Sequence, residues 1–443
     1  MNNIDTHPFK SHPNRTLLAL SIPVLLSMTA EPITALVDTA FISSLGVNAL
    51  AALGVGTTAL SSLFWIFNFL GIGTQTEVAQ VFGKGKLTET SKISSLALTL
   101  AFSFGLLLIL LLSPALKWLA EALGASGDVQ IFAIQYMRIR LFGAPAVLLM
   151  LTTFGVLRGL QDMRTPLWIA LGMNVLNLLL DWLLIFGNGP FPQMGVAGSA
   201  LASTISQWLG AIAGVLLIIR KLGFIRSFDW RDALKLLKVG GDVFVRTAMV
   251  NIFLLFTTRA ANNISPDAGA AHQVIRQVYM FTALALDAYA STVQSLVGFF
   301  FGQKSVPWAK KVARVGLYWS LGTGSTLGLI MWLGRDWITS LLVPAAAIAV
   351  FLPAWGISAI NQPINAMAFL SDGVLWGIGD YPYLRNAMIA ATLIGLGGLY
   401  FINNFQTTLF WIWAIISLWV LARAIFGIIR IWPGIGNSIF KKD

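Results

Sequence analysis

From residue 16 to residue 431 the sequence alternates long apolar runs with short polar connections. A hydrocarbon core about 30 Å thick takes about 20 residues of helix to cross. The runs fall at 16–44, 50–82, 92–118, 130–158, 166–187, 195–220, 235–261, 268–301, 311–333, 346–378, 385–403 and 408–431. Backbone groups in lipid must be satisfied internally, and these runs are too long for barrel strands, so each is expected to be a helix. The expected fold class is all-α, a polytopic membrane protein with twelve transmembrane helices. Composition agrees, with 57% hydrophobic and 11% charged residues against about 25% charged in soluble proteins. Sixteen tryptophans and 29 phenylalanines suit interfacial belts and lipid-facing surfaces.

The net charge of +11 does not point to nucleic acid, which needs a clustered basic face on a soluble module. The basic residues sit instead in alternate connections: Lys84, Lys86 and Lys92; Arg158 and Arg164; Arg220, Lys221, Arg226, Arg231, Lys235 and Lys238; Lys304, Lys310, Lys311 and Arg314. Lys10, Arg15, Lys441 and Lys442 put both termini with them, whereas 44–49 and 187–195 are bare of basic residues. The positive-inside rule then predicts cytoplasmic termini. The chain has no cysteine, so disulfides, thiolate metal sites and cysteine nucleophiles are excluded. His7, His12 and His272 are too scattered for a metal cluster, and the polar first sixteen residues do not resemble a cleavable signal.

The chain repeats itself at an offset of 218–219 residues. "GVLRGLQDM" at 155–163 pairs with "GVLWGIGDY" at 373–381, and "QTEVAQVFGKGK" at 75–86 with "QSLVGFFFGQKS" at 294–305. "ALAALG" at 49–54 lies opposite "AGAAHQ" at 268–273. Six spans on each side of the basic loop keep the same orientation, so the repeat is parallel, with a pseudo-two-fold along the membrane normal. The expected organisation is a tail at 1–15, an N-lobe at 16–222, a loop at 223–234, a C-lobe at 235–432 and a tail at 433–443, with a central cavity between the lobes.

"PVLLSMTAEPITALVDTAFISSLGVNALAALGVG" at 23–56 and "GVLRGLQDMRTP" at 155–166, with six plus six spans around a basic loop, resemble the multidrug and toxic compound extrusion (MATE) family, in its DinF-type branch. The resemblance covers essentially the whole chain. It implies a secondary exporter that drives organic cations or other amphipathic drugs out against an inward H⁺ or Na⁺ gradient, with no cofactor. It further implies that Asp38, Asn177 and Asp181 form an N-lobe cation or proton site. The expected partners are drugs and membrane lipids, the chain acting as a monomer.

The residues themselves carry this reading some way. A buried acid in a span costs about 2.5–3.5 kcal/mol on insertion scales, so it should face protein or water. Glu31 and Asp38 lie seven residues apart in the first span, on nearly one face. In "MNVLNLLLDWLLIF" at 173–186, Asn174, Asn177 and Asp181 share a face of a leucine-rich helix. A seam of asparagines can simply join helices, but an added carboxylate needs a counter-charge, a proton or a cation. Ser199, Ser203 or Thr204 is expected to join the set. Two acids facing each other in a low-dielectric lobe cannot both ionise cheaply, which makes protonation a switch. Pro23 and Pro32 each remove a backbone donor and make the first span a candidate hinge that reads it. Glu31 is left between a substrate-facing charge and a kink residue.

The C-lobe carries a second polar set: Arg246, Arg259, His272, Arg276, Asp287, Gln294, Asn361, Gln362, Asn365 and Asp372. Asp287, Gln294 and Asp372 are candidates for a secondary site, although Asp287 could instead pair with Arg246 or Arg276. Met28, Phe64, Trp65, Phe154, Met173 and Tyr289 would suit amphipathic cations, against the plain alternative of packing or lipid contact. "GKGK" at 83–86 follows no strand and matches no phosphate loop, which disfavours ATP. A lipid-precursor flippase would call for a basic cavity and extra helices. An intramembrane enzyme would call for a catalytic constellation that His272 alone does not make.

Overall fold

The computed structural model describes residues 7–225, 230–402 and 407–441; Arg226 and Lys442, named among the basic charges, lie outside them. Its helices are α1 (Pro8–Ser11), α2 (Pro13–Ser43), α3 (Val47–Ile66), α4 (Asn68–Gly83), α5 (Leu87–Leu112), α6 (Leu116–Ala122), α7 (Gly127–Leu141), α8 (Ala144–Gly159) and α9 (Arg164–Phe186). They continue with α10 (Val196–Leu222), α11 (Trp230–Ile264), α12 (Pro266–Gly302), α13 (Val306–Leu333), α14 (Arg335–Leu342), α15 (Ile348–Ile360), α16 (Gln362–Ile378), α17 (Tyr381–Ile402) and α18 (Leu409–Ile431). No strand occurs among the described residues. The chain forms two compact lobes, Ile22–Gly240 and Gly241–Asp443 with Met1–Ser21. They are called the N-lobe and C-lobe below.

Nine helical stretches among the described residues are long and apolar enough to cross a membrane, and eleven if each of two bent pairs counts as one. The remaining expected span is α13, 28 residues long, whose stretch Ser320–Thr326 mixes glycine with hydroxyl residues and dilutes its apolar character. The spans expected as single helices at 130–158 and 346–378 are instead bent. α7 meets α8 at 50°, and α15 meets α16 at 47°. Pro145 and Pro363 stand in the first turn of the second helix in each pair. A proline there suits a helix start but cannot donate back to the preceding turn, so the helix begins anew.

The repeat read in the sequence reappears as repeated contacts inside each lobe. In the N-lobe, a Cβ on Gly155 would lie 2.5 Å from the carbonyl oxygen of Gly71. In the C-lobe, a Cβ on Gly373 would collide with the carbonyl of Ala290, at the matching position. Gly159 and Gly377 make the equivalent approach to Val78 and Val297. Only glycine lets α8 lie this close on α4, and α16 on α12. The ends of the repeats match as well. Asp162 is paired with Lys221, and Asp380 accepts a hydrogen bond from Arg430 at 2.8 Å. Each pair ties the end of a lobe's fourth span to the end of its sixth.

Among the described residues, two other than glycine have a left-handed backbone, Gln161 (φ 63°) and Lys304 (φ 58°). Their repeat mates, Gly379 (φ 81°) and Gly85 (φ 73°), are glycines in the same conformation. The turn geometry is therefore a property of the repeat, which one copy meets with glycine and the other under strain. A side chain in this region costs about 1–2 kcal/mol, partly offset by glycine's entropy. Lys304→Gly is expected to raise stability by about 0.5–1 kcal/mol and Gly85→Ala to lower it by about as much. Thermal melting in detergent checks both signs.

The Asp162 clasp has a pH signature. Asp162 accepts from the Thr165 amide at 3.0 Å and from its hydroxyl at 2.6 Å, besides Lys221. Burial alone would raise its pKa, but the hydrogen bonds from Lys221 and Thr165 outweigh burial and hold the carboxyl below its ordinary value of 3.8. The clasp thus contributes stability above pH 3.8 and loses it as pH falls through the lower folded value. Asp162→Ala should cost about 1 kcal/mol at neutral pH, and the difference from the wild-type chain should shrink towards pH 3. Melting curves across that range read it directly.

The C-lobe core is built on Trp355, Trp413, Trp419, Phe253 and Phe351. The short α1 belongs to the same lobe and buries Phe9 completely, 5.9 Å from the Phe300 ring.

Candidate functional site

The N-lobe brings the polar face of α9 against residues of α2, α7 and α10. Asp181 is fully buried, and Asn177 is 4% exposed. Asn177 donates through Nδ2 to the Ser203 hydroxyl of α10 at 3.4 Å. Asn174, one turn earlier, keeps its Nδ2 without a partner among the described residues. Asp38 of α2 is half-buried and interacts directly with Asp181. Neither Asp181 oxygen has a hydrogen bond of regular geometry among the described residues, nor does Oδ1 of Asp38. The two carboxyls lie side by side, as their helix positions anticipate. Such carboxylates repel, and one shared proton removes the repulsion.

Sequence reasoning passed over the group beside them. Arg140, near the end of α7, exerts its positive charge on Asp38, Asp181 and Glu31 alike. Its Nη1 donates to Oε1 of Gln207 on α10 at 2.7 Å. Tyr136, one turn earlier, also hydrogen-bonds Arg140. That ring lies on α3 where Gly56 leaves room, since a Cβ there would sit 2.5 Å from it. The bend between α7 and α8 is what brings the arginine here. Thr204 donates to the carbonyl of Ile139 at 3.3 Å, and Trp208 to that of Phe142 at 3.1 Å. One face of α10, with Thr204, Gln207 and Trp208, thus grips the end of α7. Two signals in the sequence could have revealed this: the basic "RIR" at 138–140 inside an apolar run, and Pro145 just after it.

The other expected residues are placed as follows. Thr204 serves the helix bend, while the Ser199 hydroxyl is buried without a partner among the described residues. Glu31 is exposed on α2. Pro23 and Pro32 lie inside one continuous helix. Met28 is half-buried on α2. Phe154 lies 5.7 Å beneath the Arg158 guanidinium, which reaches Ser27 of α2 at 3.4 Å. The Met173 sulfur packs over Gly210 beside Met150. Among the described residues no three acidic or histidine side chains gather as a metal ion would need.

In the C-lobe, Asp372 of α16 sits between two guanidinium groups. It accepts from Arg246 of α11 and, at 2.9 Å, from Arg423 of α18. Arg246 lies 4.9 Å over Trp376, and Arg423 lies 4.7 Å over Trp419. Asp287 is half-buried on α12 within Arg246's field. Gln294 is buried on α12, where its carbonyl faces Gly377. Asn365 accepts from the Tyr279 hydroxyl at 2.9 Å. Tyr289 accepts from Thr323 at 3.1 Å.

The MatE family model matches residues 23–183 and 243–401, most of both lobes. Protein DETOXIFICATION 44, chloroplastic, of Arabidopsis thaliana is 30% identical over 95% of this chain and 78% of its own length. DNA damage-inducible protein F of Escherichia coli (strain K12) is 28% identical over 86% of this chain and 84% of its own. The solved structure of a MOP superfamily transporter from Pyrococcus furiosus superposes with a TM-score of 0.88, covering 97% of each chain at 21% identity, and so shares the fold. On this match across both lobes, the chain belongs to the MatE family of multidrug and toxin efflux transporters.

Proposed function

We propose that the chain is an ion-coupled exporter of organic cations or amphipathic drugs, in which proton uptake by the Asp38–Asp181 pair drives the export step. The observation that carries this is the contact of the two carboxyls, one on α2 and one buried on α9. With the pair deprotonated, the N-lobe holds negative charge that attracts a cationic drug. A proton entering between the carboxyls cancels part of that charge and loosens the polar link between α2 and α9. Helix α2 carries Pro23 and Pro32 and has fewer backbone bonds resisting a bend. Drug and proton thus compete for one charge state, which couples their opposite movements. The basic connections and termini face the cytoplasm of a bacterial cell, across whose cytoplasmic membrane the proton gradient points inward. Met28, Phe154 and Met173 supply apolar and aromatic contact for the drug.

Everted vesicles test the energy source. Ethidium or norfloxacin transport should stop when the proton gradient is collapsed. Transport that persists without any ion gradient would refute the reading.

A further inference from the structure

We propose that the end of the C-lobe where α12 turns into α13 binds the phosphate of an anionic membrane lipid, held by Lys10 and Lys311 around Trp308. The site is independent of the N-lobe mechanism, and the repeat points to it.

The start of α11, up to Gly240, belongs to the N-lobe, and the chain up to Ser21 belongs to the C-lobe. These two arms are repeat mates at an offset of 219 residues. In the N-lobe the arm docks where α4 turns into α5, and ion pairs neutralise the joint. Lys86 meets Glu89 at 2.7 Å, Lys92 meets Asp232 at 3.4 Å, and Lys235 meets Glu77 at 2.7 Å. In the C-lobe the matching positions hold none of these acids. Trp308 stands for Glu89, Pro13 for Asp232 and Leu296 for Glu77, whereas Lys311 stands for Lys92.

Basic side chains gather at the C-lobe joint all the same. Nζ of Lys311 lies 4.5 Å from the centre of the Trp308 ring, and Nζ of Lys10 lies 6.0 Å from it. Arg314 is exposed one turn beyond Lys311, and Lys304 is exposed in the turn before α13. Among the described residues none of these four has an ion pair. Helices α1 and α13 hold no acid, the first acid of α2 is Glu31, and the last of α12 is Asp287. Packing fixes Lys10 in place. The His7 ring accepts from the Phe9 amide at 3.1 Å and lies 4.9 Å from Phe299, while Phe9 is fully buried. Trp319 of α13 donates to Asn14 at 3.0 Å, which pins the first turn of α2.

Two ammonium groups fixed at one indole repel each other, and the ring offsets only part of this, since Phe300 already stacks on it at 6.0 Å. A phosphate diester supplies what carboxylates supply in the N-lobe, an anion whose oxygens both ammonium groups can reach. Its source is a lipid because the patch runs on into a lipid-facing stripe. Every third or fourth residue of α13 from Lys311 to Leu333 is exposed. Tyr318 on that stripe is 67% exposed, at the place where an interfacial aromatic belongs. Leu329 and Leu333 continue it as an apolar path for an acyl chain. Basic clusters at the end of a span draw anionic headgroups in this way.

The test is native mass spectrometry of the purified full-length protein in detergent, titrated with dioleoyl phosphatidylglycerol or dioleoyl phosphatidylcholine. Phosphatidylglycerol should bind the wild-type chain at least about five-fold more tightly. Lys10→Gln and Lys311→Gln should each weaken that binding about five-fold, the scale of one basic side chain at an anionic surface. Pro13→Asp puts back the carboxylate that Asp232 offers Lys92, and should weaken it as Lys311→Gln does. Lys92→Gln, in the N-lobe joint, should leave it unchanged. Equal binding of the two lipids by the wild-type chain would overturn the inference. So would phosphatidylglycerol binding unchanged in the Lys10→Gln/Lys311→Gln double variant. Displacement of the lipid by millimolar inorganic phosphate would also overturn it, by assigning the patch to a soluble anion.

Discussion

Asp181→Asn is expected to lower drug export by a factor on the order of 10–100, the range of a coupling free energy of 1–3 kcal/mol. Asparagine keeps the shape and the polar contacts of the side chain but cannot take up a proton, so α9 loses its part in the switch. Asp38→Asn should have a similar effect, because the proton belongs to the pair rather than to either residue. The double variant should cost little more than either single one, since both remove the same shared step. Asn177→Ala, which breaks the bond to Ser203 at 3.4 Å, should have a smaller effect. Export by correctly inserted variants in proteoliposomes checks the series, and strict additivity of the two acids would argue against a shared proton.

The largest expected stability effect lies in the other lobe. Asp372→Ala leaves Arg246 and Arg423 facing each other with their carboxylate removed. Breaking a buried ion pair from one side costs about 3–5 kcal/mol, because a charge is left uncompensated. The side chains of Arg423 and Asp372 are 8% and 9% exposed, so water can do little to screen the loss. The aromatic faces of Trp376 and Trp419 recover part of it through cation–π contact. Asp372→Asn keeps an acceptor and should cost less than Asp372→Ala. Thermal melting in detergent should show that order, and a loss below about 1 kcal/mol for Asp372→Ala would mean that the triad is solvated. The same measurement separates Asp372's structural part from any effect on export.

Much of the fold was legible because lipid permits so few solutions. The apolar runs, their lengths and the alternation of basic connections follow from backbone satisfaction and membrane thickness. The glycines of the repeat were visible as well, and Gly155 and Gly373 prove to mark matching helix contacts. The bends at Pro145 and Pro363 were less legible. A proline in an apolar run signals either a kink or a fresh start, and neighbouring helices decide which. The contact of Asp38 with Asp181 could be anticipated, since a stripe of polar residues on a leucine helix must meet something polar. Arg140 could not be placed in the same way. Its position depends on the bend after Leu141 and on the face of α10 that holds it, both products of tertiary packing. Arg423 went unremarked for a like reason: a lone arginine near the end of an apolar span reads as a snorkelling charge. Thr204, expected beside the polar stripe, donates its hydroxyl to the carbonyl of Ile139.

The central claim is that the Asp38–Asp181 pair is where proton movement is linked to drug movement. Proteoliposomes that hold the protein, with a pH gradient imposed and Na⁺ equal on both sides, test it most directly. The predicted result is drug transport that follows the imposed pH gradient in the wild-type chain and is lost in the Asp38→Asn/Asp181→Asn double variant. A double variant that still responds to the pH gradient as the wild-type chain does would contradict the account.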